Sequence, residues 1–309
     1  MKHKHNSIWA EEFPYDRFFD FIAPNADRYG ILLKQIEKLA LNSAVVSIAG
    51  NRHIFVFPRT QKLIRHSGGV FPFSGQSPVM LAAHYDRVAG SPGANDNSIA
   101  VFHLLKAASI LEQRGLDCWI IVFTDKEELN AGEGIVDQGS FSLAEKLISW
   151  GLENARVYIF DACGAGDTFI ISSTADHIMK NDKRAGIVKA KKLTRQLRNH
   201  ALKTAHSLRL DKILLVPTPF SDDAGFLRAG LPAQTITMLP SGEAGPYAAV
   251  VQNRPEFADL LISGALKDPA ERRLIPETWR SLNNAADNHL RLTPGFYGQV
   301  VSFAVELCR

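Results

Sequence analysis

The sequence predicts an α/β protein: a three-layer α/β/α sandwich around a mostly parallel central sheet. Two observations predict it. From residue 78 onward, short apolar runs alternate with longer amphipathic stretches, the pattern of parallel strands joined by helices that cover both sheet faces. The chain also has 309 residues, 46% of them apolar, which is enough to bury a core of that size.

The elements follow in chain order. Residues 15–42 carry an amphipathic helical stripe of Phe18, Ile22, Ile31, Leu32, Ile36 and Leu39. Two short strands, 44–48 and 53–57, flank residues 49–52, where Gly50-Asn51 supplies the positive φ of a hairpin. Strands are then predicted over 79–84, 118–124, 157–160, 213–216 and 233–238, and helices over 98–114, 141–150, 189–208 and 296–307. Residues 241–246 (SGEAGP) read as a flexible loop. Residues 1–77 form a helical and hairpin extension packed on a main domain of residues 78–309; the sequence does not rank whether it extends the sheet, caps the site or supports self-association.

Global properties narrow the function. The formal net charge of +3 and 22% charged residues give no reason to expect nucleic acid or a membrane surface as a partner. Residues 183–209 are rich in Lys and Arg, but their apolar residues recur at core spacing, so the basic side chains read as a solvated helix face. The first twenty residues lack the apolar run of a secretory signal, and no stretch approaches eighteen uninterrupted apolar residues. Cys118, Cys163 and Cys308 are odd in number and far apart, without CxxC spacing. The expected location is the cytoplasm. His3 and His5 read as part of a frayed terminus, and His103 as a packed histidine.

In open α/β sheets ligands bind beyond the carboxyl ends of the strands, and there the unusual polar residues fall. His84-Tyr85-Asp86 closes one strand, and Asp96 follows in the loop before a helix. Asp125-Lys126-Glu127-Glu128 follows the next strand, and Asp161 follows the one after. Singly, each has an ordinary reading as a turn residue, a helix cap or an acid in a helix's first turn. Recurring in order at successive strand ends, His84, Asp96, Glu128 and Asp161 offer one imidazole and three carboxylates, a donor set suited to zinc or a similar divalent ion. Such an ion needs a base to take a proton from water beside it, and Glu127 is the candidate.

The segments HYD, SPGANDN, TDKEE, FDACGAGD and PFSDDAGF resemble those of the co-catalytic zinc aminopeptidase family. That family includes bacterial leucyl-type aminopeptidases and, more distantly, glutamate carboxypeptidases and glutaminyl cyclases. The resemblance runs from about residue 78 to residue 300 and implies a zinc-exopeptidase-like fold. It implies further that Asp96 bridges two metals, that His84 and Asp161 complete one site and that Glu128 belongs to the other. Glu127 is then the general base, Asp86 orients the His84 ring, and the Asp96-Asn97 peptide is a candidate for the cis form. Asp222 falls in a loop bordering the substrate pocket; the other reading of this segment is a helix N-cap at Ser221.

One ligand departs from the pattern. Where the family carries a histidine, in a segment of the form His-Thr-x-x-Asp-Thr, this chain has Asn283, followed by Asp287. A neutral amide oxygen is a weaker zinc donor than imidazole, and His289 lies six residues further on, in the following turn. The sequence therefore predicts one or two divalent ions, with the second site weakened. The predicted function is metal-dependent hydrolysis of a peptide or small amide substrate, as an aminopeptidase. A mononuclear amidohydrolase and a non-catalytic binding protein on the same fold are the alternatives.

Overall fold

The computed structural model describes residues 13–61, 64–66, 69–71 and 78–309; His3 and His5 lie outside them. Eight strands form one mixed sheet: β1 (Asn42–Ile48), β2 (Asn51–Phe57), β3 (Val79–His84), β4 (Trp119–Thr124), β5 (Arg156–Phe160), β6 (Thr168–Ser172), β7 (Ile213–Val216) and β8 (Ala233–Leu239), in the order β1-β2-β4-β3-β5-β8-β6-β7. The centre, β4-β3-β5-β8, is parallel, while β1, β2 and the β8–β6 pairing are antiparallel.

The strand sequences explain why both faces are covered. Val79, Leu81, Ala83, Ile121, Phe123, Tyr158 and Phe160 point into one core, under helices 99–113 and 297–307. Met80, Ala82, Ile120, Val122, Val157 and Ile159 point into the other, under helices 139–149 and 222–229. Strict alternation of apolar residues serves both faces, so the strands read as continuous apolar runs.

The N-terminal residues join this architecture. The single amphipathic stripe expected over 15–42 is broken into helices Tyr15–Ile22 and Arg28–Lys38. Pro24 disfavours helical backbone at Ala23, which lies at ψ 147°, and the Asp27 carboxylate restarts the helix by accepting from the Gly30 amide at 3.0 Å. The hairpin is present, but Ile48 pairs with Asn51. The turn is thus the two residues Ala49-Gly50, at φ 50° and 86°, rather than Gly50-Asn51. Positive φ at both positions matches the right-handed twist of the flanking strands. Through β2 and β4 this hairpin extends the main sheet.

Three further differences appear. Strand β6 was not expected. Helix Asp222–Ala229 occupies what the resemblance implies is a loop, and Ser221 stands at its N-cap, the other reading of that segment. Residues 241–246 are the start of helix Ser241–Asn253, not a flexible loop: the Asp167 carboxylate accepts from the Ser241 amide at 2.7 Å, while Glu243 accepts from the amide and hydroxyl of Thr278. Those partners are remote in sequence, so local composition does not reveal them.

The topology fixes where a ligand can sit. From β3 the chain crosses to β4 on one side and then to β5 on the other. Their carboxyl ends open a crevice at this switch point, into which His84, the segment after Thr124 and Asp161 emerge.

Candidate metal centre

His84 ends β3 with its side chain fully buried. Nε2 lies 3.0 Å from Asp96 Oδ1 and 3.8 Å from Asp161 Oδ1, and Nδ1 lies 3.3 Å from Asp86 Oδ1. The last contact is close but lacks the alignment of a hydrogen bond. His84, Asp96 and Glu128 each present a donor atom within 4.8 Å of the others. Asp161 faces the same imidazole from the end of β5.

Asp86, Glu127 and the loop that carries Asp96 are held by backbone or amide partners. Asp86 accepts the amides of Glu127 and Glu128, at 3.2 and 3.0 Å. It therefore anchors the whole Glu127-Glu128 segment as well as facing His84. Lys126, at φ 61°, turns the chain after β4, and its carbonyl accepts from the Gly139 amide at 2.8 Å. The Gln138 side-chain amide donates to both the carbonyl and Oε1 of Glu127, at 3.3 Å each. The Asp96-Asn97 peptide is cis. Asn95 and Asn97 tie the loop to the next strand end: Asn95 Oδ1 accepts from Gly164, Asn97 Oδ1 accepts from Ala162, and Asn97 Nδ2 donates to the Phe160 carbonyl. Asp287 receives the amides of Asn95 and Asp96 at 2.8 and 3.0 Å.

Sequence reasoning missed several of these supports. Asp287 stands four residues after Asn283, where the resembling segment carries an Asp, and the Asn-Asp-Asn run around Asp96 was a usable signal. Gln138 has none. Arg28 has none either, yet it joins the N-terminal helices to the site. Its guanidinium donates to the Asp86 carbonyl at 3.2 Å and the Ser98 hydroxyl at 2.7 Å, over the Phe21 ring. Burial, reinforced by Arg87, lowers its pKa to about 9.

Asn283 is exposed in left-handed backbone, at φ 62°, and from the same segment the Asp287 carboxylate meets the Asp96 loop. His289 is exposed and packs edge-on against Phe19. His103 is buried beside the Tyr297 ring. Asp222 is fully buried, and its carboxylate accepts the hydroxyl of Thr124, the last residue of β4.

The electrostatics call for a cation. Burial pushes the carboxyls of Asp96, Glu127 and Glu128 above their ordinary range, and neighbouring acids add to it. Burial alone would favour neutral His84, but Asp161, Asp86 and Asp96 outweigh it and raise its pKa. Burial also raises Asp86, yet His84 and the Glu127 and Glu128 amides bring it below its usual value. Glu128 Oε1 is buried without a hydrogen-bond partner. Buried like charges with an orphaned oxygen are costly unless a positive charge joins them, and imidazole with carboxylates is a donor set that accommodates zinc. The residues fit a divalent ion.

The sequence profile of Peptidase family M28 matches residues 70–259, more than half the chain; the matched segment ends before Asn283. Several solved structures are similar in fold. LapB from Legionella pneumophila superposes with a TM-score of 0.59 at 13% identity, covering 97% of this chain and 74% of that one. The LapA aminopeptidase of the same organism gives 0.58 at 15% identity, covering 95% and 70%. A Porphyromonas gingivalis glutaminyl cyclase gives 0.55 at 14% identity, covering 96% and 98%. No curated protein sequence matches the chain.

Proposed function

The chain belongs to Peptidase family M28, and from that premise we propose that it is a zinc-dependent aminopeptidase whose general base is Glu127. The observation that carries the reading is the cluster of His84, Asp96 and Glu128 at the switch point, with Glu127 fixed beside it. His84, Asp96, Glu128 and Asp161 would hold the ion. When bound, a divalent cation supplies Lewis-acid polarisation of the attacking water and the scissile carbonyl.

The protein's own groups do the rest. Asp86 fixes the position of Glu127 through its amide, and Gln138 fixes its carboxylate, so the base is aimed before substrate arrives. Glu127 takes a proton from the attacking water and returns it to the leaving amine. Burial raises its pKa, which brings it nearer to the range in which a carboxyl can both accept and donate a proton at neutral pH. Beside Asp161 lies a small cleft of about 30 Å³ lined by Phe220, Trp279, Leu282 and Thr237, which places apolar groups next to the proposed ion site.

A second reading, cyclisation of an N-terminal glutamine, is favoured by one observation: the chain spans 98% of the Porphyromonas cyclase. One assay separates the two. Zinc-loaded protein is incubated with aminoacyl amides and, in parallel, with glutaminyl peptides. Free amino acid that disappears with chelator, returns with zinc and is lost in Glu127→Gln supports the aminopeptidase. Ammonia release from glutaminyl peptides alone replaces that reading with the cyclase. Normal hydrolysis by Glu127→Gln overturns the assigned base.

A further inference from the structure

At the end of the sheet opposite the metal centre lies a cavity of about 240 Å³, bounded by the start of β5, helix 185–207 and Pro232. Its walls are of two kinds. Leu193, Leu197, Ala155 and Pro232 are apolar, whereas Arg156, His200, Gln196 and Asn154 bring hydrogen-bonding groups. No acidic residue lines it.

The positive charge here is not neutralised from within. Arg156 makes no ion pair among the described residues, and it stands at the exposed mouth of the cavity. Tyr158 is fully buried, and its hydroxyl meets His200 Nδ1 at 2.7 Å. A phenol that donates to Nδ1 puts the neutral imidazole's proton on Nε2, a donor on the ring's other side; the same hydroxyl also lies 3.4 Å from the Leu197 carbonyl. Burial first, then Arg156 and Lys203, lower the pKa of His200; no carboxylate acts in the other direction. Lys189, Lys192 and Lys203 continue the positive field along the exposed face of a helix that contains no acidic residue.

We infer that this cavity is a binding site for a small organic carboxylate with a branched apolar tail, whose anion meets Arg156 and His200 and whose tail lies on Leu193 and Leu197. The guanidinium at the mouth offers a planar pair of N–H donors suited to a carboxylate, and the apolar wall behind it takes up the tail. A simple inorganic anion would use the charge but leave the wall exposed. A neutral amide of the same shape would use the wall and forgo the charge.

The test is calorimetric titration of the full, zinc-loaded chain with 4-methylpentanoate, with acetate and 4-methylpentanamide in parallel. Saturable binding of 4-methylpentanoate is expected, with the other two weaker by about ten-fold or more, the size of a lost charge-assisted contact or a lost apolar tail. Arg156→Gln should weaken 4-methylpentanoate by the same factor, and Leu193→Trp, which fills the cavity, should abolish it; both should retain the wild-type melting temperature. The metal centre could also take up a carboxylate, and the variants separate the sites, since neither residue approaches it. Binding unchanged in Arg156→Gln and Leu193→Trp, or no saturable binding by the wild type, overturns the inference. If Leu193→Trp does not fold, Arg156→Gln alone decides, because its side chain is at the surface.

Discussion

A single side chain, Gln138, shows how closely the proposed base, Glu127, is held. It is buried, and its amide nitrogen bridges the main chain and the carboxylate of Glu127. A donor so placed fixes the rotamer of the base and favours its charged form. Gln138→Met preserves length and volume but removes the donor. The expected result is a fall in kcat of about ten-fold with KM little changed, the signature of a contact that matters to the transition state more than to binding. Zinc affinity and melting temperature should stay near the wild type, and Gln138→Glu should not restore the rate, since it replaces a donor with an acceptor. An unchanged kcat in Gln138→Met would remove Gln138 from the site's function. At this scale the sequence was most informative about groups with rare chemistry. His84, Asp96, Glu127, Glu128 and Asp161 stand out as candidates because charged residues at strand ends are conspicuous. Gln138 does not, because an amide eleven residues away carries no local mark of the carboxylate it will meet.

The element that most needs support is the loop 94–98, which carries Asp96. Asp287 receives two of its amides, while Asn95 and Asn97 stitch it to the loop after β5. Asp287→Ala would leave two buried N–H groups without acceptors, a loss of about 2–6 kcal/mol at about 1–3 kcal/mol each. Denaturant unfolding in saturating zinc should show that loss, and zinc affinity should fall with it, because Asp96 is then less well held. Asp287→Asn keeps one acceptor oxygen and should lie between. Wild-type stability and zinc affinity in Asp287→Ala would show that the loop holds its shape without the carboxylate. Elements were legible where their periodicity was strong, as in β3, β4 and helix 99–113. They were lost where a remote partner decides: the start of helix 241–253 depends on Asp167 and Thr278, and the break after Ile22 on one proline inside an otherwise continuous stripe.

Across the whole molecule, buried ionisable groups make stability depend on pH in two opposed ways. Burial raises Asp222 and Asp287 to about 6 and Asp223 to about 7. These carboxyls hold protons in the folded chain that they release when unfolded, so they favour folding at low pH and lose that contribution as pH rises through those values. His53 and His103 act in reverse: burial lowers them to about 4 and about 3, against about 6.5 in an unfolded chain. Between those values the unfolded state binds the extra proton. Each histidine's share of stability is therefore complete above pH 6.5 and declines as pH falls, by about 1.4 kcal/mol per unit for one proton. His103 offers the cleaner test, since its Nδ1 has no hydrogen-bond partner and it packs against Tyr297, away from the acidic cluster. His103→Leu removes this proton-linked loss while keeping an apolar side chain in the core. Measured from pH 7 to pH 4.5, the melting temperature of His103→Leu relative to the wild type should climb steadily as pH falls, whatever the sign of the difference at pH 7. The carboxyls titrate alike in both proteins and cancel in the comparison. A difference that stays constant over that range would mean that His103 is protonated as readily inside the fold as outside it, and that burial does not hold it neutral.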